Sequence, residues 1–346
     1  MRVPMGQCRG LTRRPVVQRS LPPLVGRPDQ WLLIVPDSPA WLGPGRIGLY
    51  AEHLRAQGID CVVQTGHNNV IDRVRGFGVI WNHALVADVP ALDRYAQRNP
   101  ECRVVHVNHS SLAYLEYTPG TWRKFVAACE SARSRQNVWC VSQAESGLRR
   151  VLQCDRVRHV PMPVPVLDPR PYRPAAQPPV IVLAGRACPV KNQFNSLIAV
   201  AQLGNQVQLH LCVPVTPELA ATCDLLGLKP VQHGMLPHSD WLQFLRDQAD
   251  VLLQPSLTES YNVISAEAQQ IGVPTVAAES VHCAVPELTV GRLNSPGQIA
   301  SAIRVALMDY RPACERAIEF AGASVAERNL GYRQFCQQLR SEVAAS

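Results

Sequence analysis

Two carboxylates, Glu259 and Glu267, stand in the stretch ADVLLQPSLTESYNVISAEAQQIGVPTVAA, which runs from Ala249 to Ala278. Past the first of them the apolar residues Val263, Ile264, Ala266, Ala268 and Ile271 recur at helical spacing until Gly272 and Pro274, so a helix opens just after Glu259. The first backbone amides of that helix, at Ser260, Tyr261, Asn262 and Val263, have no acceptor inside it and offer N–H donors to an anion. Earlier in the chain an apolar run, Val180 to Ala184, leads into Gly185, Arg186, Ala187, Cys188, Pro189, Val190 and Lys191. A glycine there allows a tight turn, an arginine can hold two phosphate oxygens at once, and a lysine adds a compact charge. This combination suits a diphosphate bound without a cation, and the sequence contains no D-x-D pair to hold one. His109, in HVNHSSLAYLEY, is a further candidate, because a neutral imidazole at a strand end can exchange a hydrogen bond with a ligand hydroxyl or a developing charge.

Positioning these groups requires a particular order of elements. Val251 to Leu253 reads as a buried strand, stopped by Pro255 and Ser256, and Thr275 to Ala278 as the strand after the helix. Val180 to Ala184 and Val207 to Val213 are further strands, with a helix from Gln193 to Leu203 between them and another opened by Thr216, Pro217 and Glu218. In the first half, Trp31 to Val35 precedes a loop with Gly43, Gly45 and Gly48 and a helix stopped by Gly58. Strands are then expected at Ile59 to Val63, Gly78 to Trp81, Cys102 to Val107, Asn137 to Val141 and Val157 to Val160. Ser142 to Glu145 and Ser295 to Gln298 have the form of capping boxes. Strands alternating with helices imply parallel, doubly wound sheets.

Pro161 to Pro179, PMPVPVLDPRPYRPAAQPP, reads as a linker, because proline at that density favours extended backbone. The expected organisation is a basic, Pro- and Arg-rich tail at 1–28, whose composition is that of a disordered segment, a first Rossmann-like domain at 29–165, a linker at 166–179, a second Rossmann-like domain at 180–330 and a last helix at 331–346, which could pack back on the first domain. The chain of 346 residues suits two domains. Its net charge of +7 is concentrated in the tail: residues 1–28 hold six arginines and no acid, which leaves 28 basic against 27 acidic residues elsewhere. The twelve cysteines are scattered without a C-x-x-C pair, as expected of buried free thiols. No apolar run approaches the roughly 18 residues of a membrane span, and no signal-peptide pattern is present, so a cytoplasmic location is expected.

Glutamate, seven residues, glutamate, then A-x-x-x-G-x-P-x-V-A, resembles the donor-site signature of retaining glycosyltransferases of family 4, which have the GT-B fold. The resemblance implies that Glu259 contacts hydroxyls of the transferred sugar and Glu267 the ribose of the nucleotide. Gly185, Arg186 and Lys191 resemble the family's G-R-x-x-x-x-K, which binds the nucleotide diphosphate. By position, Gly234 and Met235 would lie at the base, Gly45 in the loop that approaches the donor phosphate, and His109 at the reacting centre; His83 would line the acceptor cleft. The implied activity is retaining, metal-independent transfer from a UDP- or GDP-sugar to an acceptor whose class is open: a glycan, a lipid-linked sugar, a small molecule or DNA. Nucleotide-sugar is then the co-substrate, and no cofactor is implied. Ser260, Tyr261 and Asn262 stand where the family has Gly-Phe-Gly, and Ser110 where it has Asp after the histidine. Two alternatives stay open: a viral-type DNA-modifying glycosyltransferase using the arginine tail, and a non-catalytic sugar-nucleotide binder.

Overall fold

The structure, a computed structural model, describes residues 22–37, 48–66, 70–116, 118–143 and 148–345. The glycine loop with Gly43 and Gly45, Ala144 and Glu145 of the first capping box, and residues 1–21 lie outside them.

Two six-stranded sheets, each parallel throughout, carry the chain. The first contains β2 (Trp31–Val35), β3 (Cys61–Thr65), β5 (Val79–His83), β6 (Arg103–Asn108), β7 (Val138–Ser142) and β8 (Val157–His159), in the order β3-β2-β5-β6-β7-β8. A short pair, β1 (Leu24–Val25) with β4 (Val74–Arg75), flanks it. The second sheet contains β9 (Val180–Ala184), β10 (Gln208–Cys212), β11 (Val231–Gln232), β12 (Val251–Gln254), β13 (Thr275–Ala278) and β14 (Thr289–Val290), in the order β11-β10-β9-β12-β13-β14. Chain order therefore reverses between β2 and β5 and between β9 and β12, and open α/β sheets bind ligands beyond the C-terminal ends of strands at such points.

The central strands are apolar throughout because both faces are covered. Leu32 and Ile34 meet α2 (Val89–Arg98) and α4 (Pro119–Ser134) on one face of the first sheet. Trp31, Leu33 and Val35 face α1 (Leu49–Arg55) and the far end of the last helix on the other. Short α3 (Leu112–Glu116) and α5 (Leu148–Leu152) complete this half. In the second sheet Ile181 and Leu183 pack toward α6 (Gln193–Ala201), α7 (Pro217–Leu225) and α10 (Pro296–Met308), and Val180, Val182 and Ala184 toward α8 (His238–Asp247) and α9 (Val263–Ile271). The last helix, α11, spans Tyr310–Ala344.

Several expectations are corrected. Strand β3 begins at Cys61 because the Ile59 amide bonds back to the Leu54 carbonyl at 3.0 Å and completes the turn after α1. The end of the arginine tail is ordered: Gly26 N–H bonds the Arg75 carbonyl at 2.8 Å, and Arg27 pairs with Asp29 and Asp60. Pro296 opens α10 as expected, yet Ser295 makes no side-chain cap; Gln298 Oε1 accepts from the Arg292 amide instead. The helix placed at 331–346 is the second half of α11. The proline stretch has neither helix nor strand, but it is pinned. Asn329 of α11 exchanges two hydrogen bonds with the Val164 backbone, and Gln270 of α9 bonds the Leu167 amide and the Pro165 carbonyl. The eleven described cysteines are free thiols, all but Cys188 buried. Among the described residues no helix is long and apolar enough to cross a membrane.

Candidate functional site

The loops leaving β9 and β12 meet at the switch point of the second sheet. Gly185 follows β9 with φ +113°, a conformation side chains rarely adopt, and a Cβ there would lie 4.0 Å from Lys191 Cε and 3.7 Å from Ile264 Cδ1 of α9. The basic turn and the start of the helix after Glu259 are thus adjacent. Lys191 Nζ pairs directly with Glu259 Oε1, with 16% and 10% of the two side chains exposed. Asn262 holds the same oxygen: its Nδ2 donates to Glu259 Oε1 at 3.1 Å and to Gln254 Oε1 at 2.9 Å, while its Oδ1 caps α9 by accepting from the Ser265 amide at 3.0 Å. Gln254, the last residue of β12, donates in turn to the Ala184 carbonyl at 2.7 Å and ties the two strand ends together. Val263 is the first residue of α9. Arg186 is exposed, and among the described residues nothing bonds or pairs with its guanidinium.

The other expected residues are placed less directly. Glu267 is 3% exposed, and both carboxylate oxygens are engaged by α8: Oε1 by His238 Nε2 at 2.8 Å and Oε2 by Trp241 Nε1 at 3.0 Å. The bond to Glu267 raises the His238 pKa above its ordinary value against a smaller opposing effect of burial. Tyr261 turns its side chain into the core, under the Arg328 guanidinium, which leaves only its backbone for a ligand. Gly234, with φ +67°, and the exposed Met235 follow β11 and lead into α8.

From the first sheet, the loop after β6 meets the loop after β12. Ser260 Oγ donates to the His109 carbonyl at 2.7 Å, and Thr258 Oγ1 donates to Ser111 Oγ at 2.8 Å. The His109 ring faces its own domain. Gln143 donates through Nε2 to the Tyr50 hydroxyl, so its Oε1 must accept from His109 Nδ1 at 3.0 Å; His109 Nε2 then accepts from His83 Nδ1 at 3.1 Å. Both imidazole nitrogens of His109 are therefore engaged, and the expected contact of that ring with substrate gives way to a carbonyl directed at the donor loop. His83 is wholly buried, and desolvation lowers its pKa to about 3. It does not line a cleft. His106 is equally buried, accepts from Asn82 Nδ2 at 3.2 Å, and has its pKa lowered to about 4 chiefly by burial. Gln254, Gln143, His238 and Trp241 were not among the sequence candidates; Gln254 alone left a signal there, a polar residue ending an apolar strand.

No protein-family model and no curated protein matches this sequence. The three-dimensional comparison is different. The structure superposes on the sucrose-phosphate synthase of Thermosynechococcus elongatus with a TM-score of 0.70 at 16% identity, covering 92% of this chain and 100% of that one. Anabaena HepE in complex with UDP-glucose matches with a TM-score of 0.65 at 15% identity over 90% of this chain and 99% of that one. A UDP-forming α,α-trehalose-phosphate synthase from Burkholderia vietnamiensis gives 0.62 at 11% identity over 92% and 98%. The chain has the GT-B fold. Its switch-point residues Gly185, Lys191, Glu259 and Asn262 accordingly lie on the second of the two Rossmann-like domains, and His109, Ser111 and His83 on the first.

Proposed function

We propose that this GT-B protein transfers a sugar from a nucleotide diphosphate donor to an acceptor, with retention at the anomeric carbon and without a metal ion. The observation that carries the reading is the joining of Lys191, Glu259 and Asn262 across the ends of β9 and β12, directly beside the start of α9. A diphosphate at that point meets the Lys191 ammonium, the unpaired Arg186 guanidinium and the helix amides, which together oppose its growing charge as the bond to the sugar breaks. Glu259, released from Lys191, accepts from sugar hydroxyls. The acceptor oxygen bonds the anomeric carbon on the face the leaving group vacates, and its proton passes to the departing phosphate oxygen. Glu267 fixes α8 against α9 and in that way shapes the nucleotide pocket near Gly234 and Met235. HepE with UDP-glucose supports a uridine donor for this chain by likeness of fold.

The test is chromatographic detection of UDP release from UDP-glucose, and of GDP from GDP-mannose, with chelator present, in the wild type and in Lys191→Ala and Glu259→Ala. The reading requires release in the wild type and its loss in both variants with unchanged thermal unfolding. One observation favours a second reading, a non-catalytic sugar-nucleotide binder: the Ser260 hydroxyl bridges to the His109 carbonyl where a glycine would leave space. Stabilisation by UDP with no release of it from UDP-glucose would decide for that reading.

A further inference from the structure

Arg328 of α11 carries a charge that the donor site described above does not use. The residue is 8% exposed, its Nε and Nη2 are buried without a hydrogen-bond partner, and among the described residues no carboxylate pairs with it. Its guanidinium carbon lies 3.8 Å from the centre of the Tyr261 ring. The other groups near it are Tyr50 of α1, Cys283 after β13 and the exposed Glu327 beside it on α11. Tyr50 is a phenol, and burial pushes the Cys283 thiol up to about 12, so neither supplies an anion at neutral pH. A buried guanidinium that no carboxylate contacts, the exposed Glu327 acting on it only through solvent, is held at a cost in free energy, which a bound oxyanion would offset.

The position says which oxyanion. Arg328 meets the loop between β12 and α9 from the α11 side, through Tyr261, whereas Lys191 meets the same loop from the β9 side, through Glu259. One turn along α11, Tyr332 packs edge-on against Tyr50 at 5.4 Å, and Tyr50 accepts from the Gln143 that holds His109. The guanidinium therefore sits at the seam of the two domains, between Tyr261 of the donor loop and Tyr50 of the first domain, on the side of that loop away from the Lys191–Glu259 pair. We propose that Arg328 binds a phosphate or carboxylate group of the acceptor, so that the acceptor is an anionic sugar or sugar-like molecule. The acceptor assignment rests on the glycosyl-transfer reading; the oxyanion site does not. The planar fork of Arg suits two oxygens of either group.

Calorimetry on the full chain tests this with glucose 6-phosphate, glucuronate, neutral glucose and inorganic phosphate, on the wild type, Arg328→Met and Arg328→Gln, with UDP titrated in parallel. The expected result is binding of a charged sugar at least about tenfold tighter than glucose, a loss of about tenfold or more in either variant, and a UDP affinity that moves less than about threefold. Equal binding of charged and neutral sugars, or charged-sugar binding unchanged in the variants, overturns the proposal. Inorganic phosphate binding as tightly as the sugar phosphate overturns the acceptor assignment in favour of free phosphate. A fall confined to UDP makes Arg328 part of the donor site, which also overturns it. Failure of both variants to fold assigns the guanidinium to the packing of Tyr261 and counts against it. A wild type that binds a charged sugar through Arg328 but never binds UDP removes the glycosyl-transfer reading and leaves the oxyanion site standing.

Discussion

Lys191 is neutralised by Glu259, so a diphosphate that recruits the ammonium must take it from a carboxylate that Asn262 also holds. The two obvious substitutions should therefore act in opposite directions on nucleotide binding. Lys191→Met should weaken UDP binding by about ten- to a hundredfold, the loss of one charged hydrogen bond of about 1.5–3 kcal/mol. Glu259→Gln removes the competing charge and should leave UDP binding equal or tighter while sugar transfer falls; calorimetry with UDP beside a turnover assay separates the two. At Glu267 the prediction concerns pH. His238 has a folded pKa raised by its bond to that carboxylate, so its contribution to stability is complete below its ordinary value of 6.5 and is lost as pH rises through the raised value. Because His238 is partly solvated, the effect is at most about 1 kcal/mol. Urea titrations at pH 6 and pH 8.5 should show a drop in the wild type that His238→Gln lacks. Residue types at this site were legible in the sequence, since Glu259, Lys191 and Gly185 announce their chemistry by charge and by turn. Their partners were not: the engagement of Glu267 by Trp241 and of His109 by Gln143 depends on how distant segments pack, which no local spacing encodes.

Asp250 shows how one element is anchored to the next. Wholly buried at the head of β12, its carboxylate accepts from the Val180 amide at 2.8 Å, the Ala176 amide at 3.1 Å and the Tyr310 hydroxyl at 3.2 Å, and it pairs with Arg173 at 2.7 Å. Through it the proline segment, β9 and the start of α11 are held to one strand. Asp250→Ala should leave Arg173 uncompensated and two amides without acceptors, and should cost about 3–5 kcal/mol in equilibrium unfolding. Gly185→Ala is predicted to cost less, about 1–3 kcal/mol, because the added methyl finds space and only the backbone conformation is strained. Differential scanning calorimetry of the pair gives the ranking directly. The strands of both sheets were legible because a run buried on both faces is apolar throughout, as in Trp31–Val35 and Val180–Ala184. Boundaries moved where a turn consumed residues, as at Ile59. The clamping of the proline segment by Asn329 and Gln270 left no trace in the sequence, because amide side chains are as ordinary on a helix surface as at a contact.

At the level of the whole molecule, two of the joints between the domains among the described residues differ in kind. The far half of α11 is a permanent one: Tyr332, Phe335, Cys336 and Leu339 are buried against Trp31, Trp81 and Trp139 of the first domain. Each such side chain contributes about 1.5–3 kcal/mol on burial, so this contact does not open on binding. The second joint is small and polar, consisting of Ser260 to the His109 carbonyl and Thr258 to Ser111. Two hydroxyl hydrogen bonds are worth about 1–3 kcal/mol together, which is a factor of about 5–150 in an opening equilibrium. That range is suited to a latch that a ligand can break and remake. The double variant Thr258→Ala with Ser260→Gly should therefore keep the wild-type unfolding temperature within a few degrees, while small-angle X-ray scattering shows a larger radius of gyration that UDP-glucose restores. Stopped-flow tryptophan fluorescence should show faster association of UDP with the variant, since the loop from Pro255 to Asn262 no longer has to leave the first domain before the diphosphate enters. Scattering curves that superimpose on the wild type, together with unchanged association, would mean that α11 alone sets the angle between the domains and that the hydroxyl pair is incidental to access.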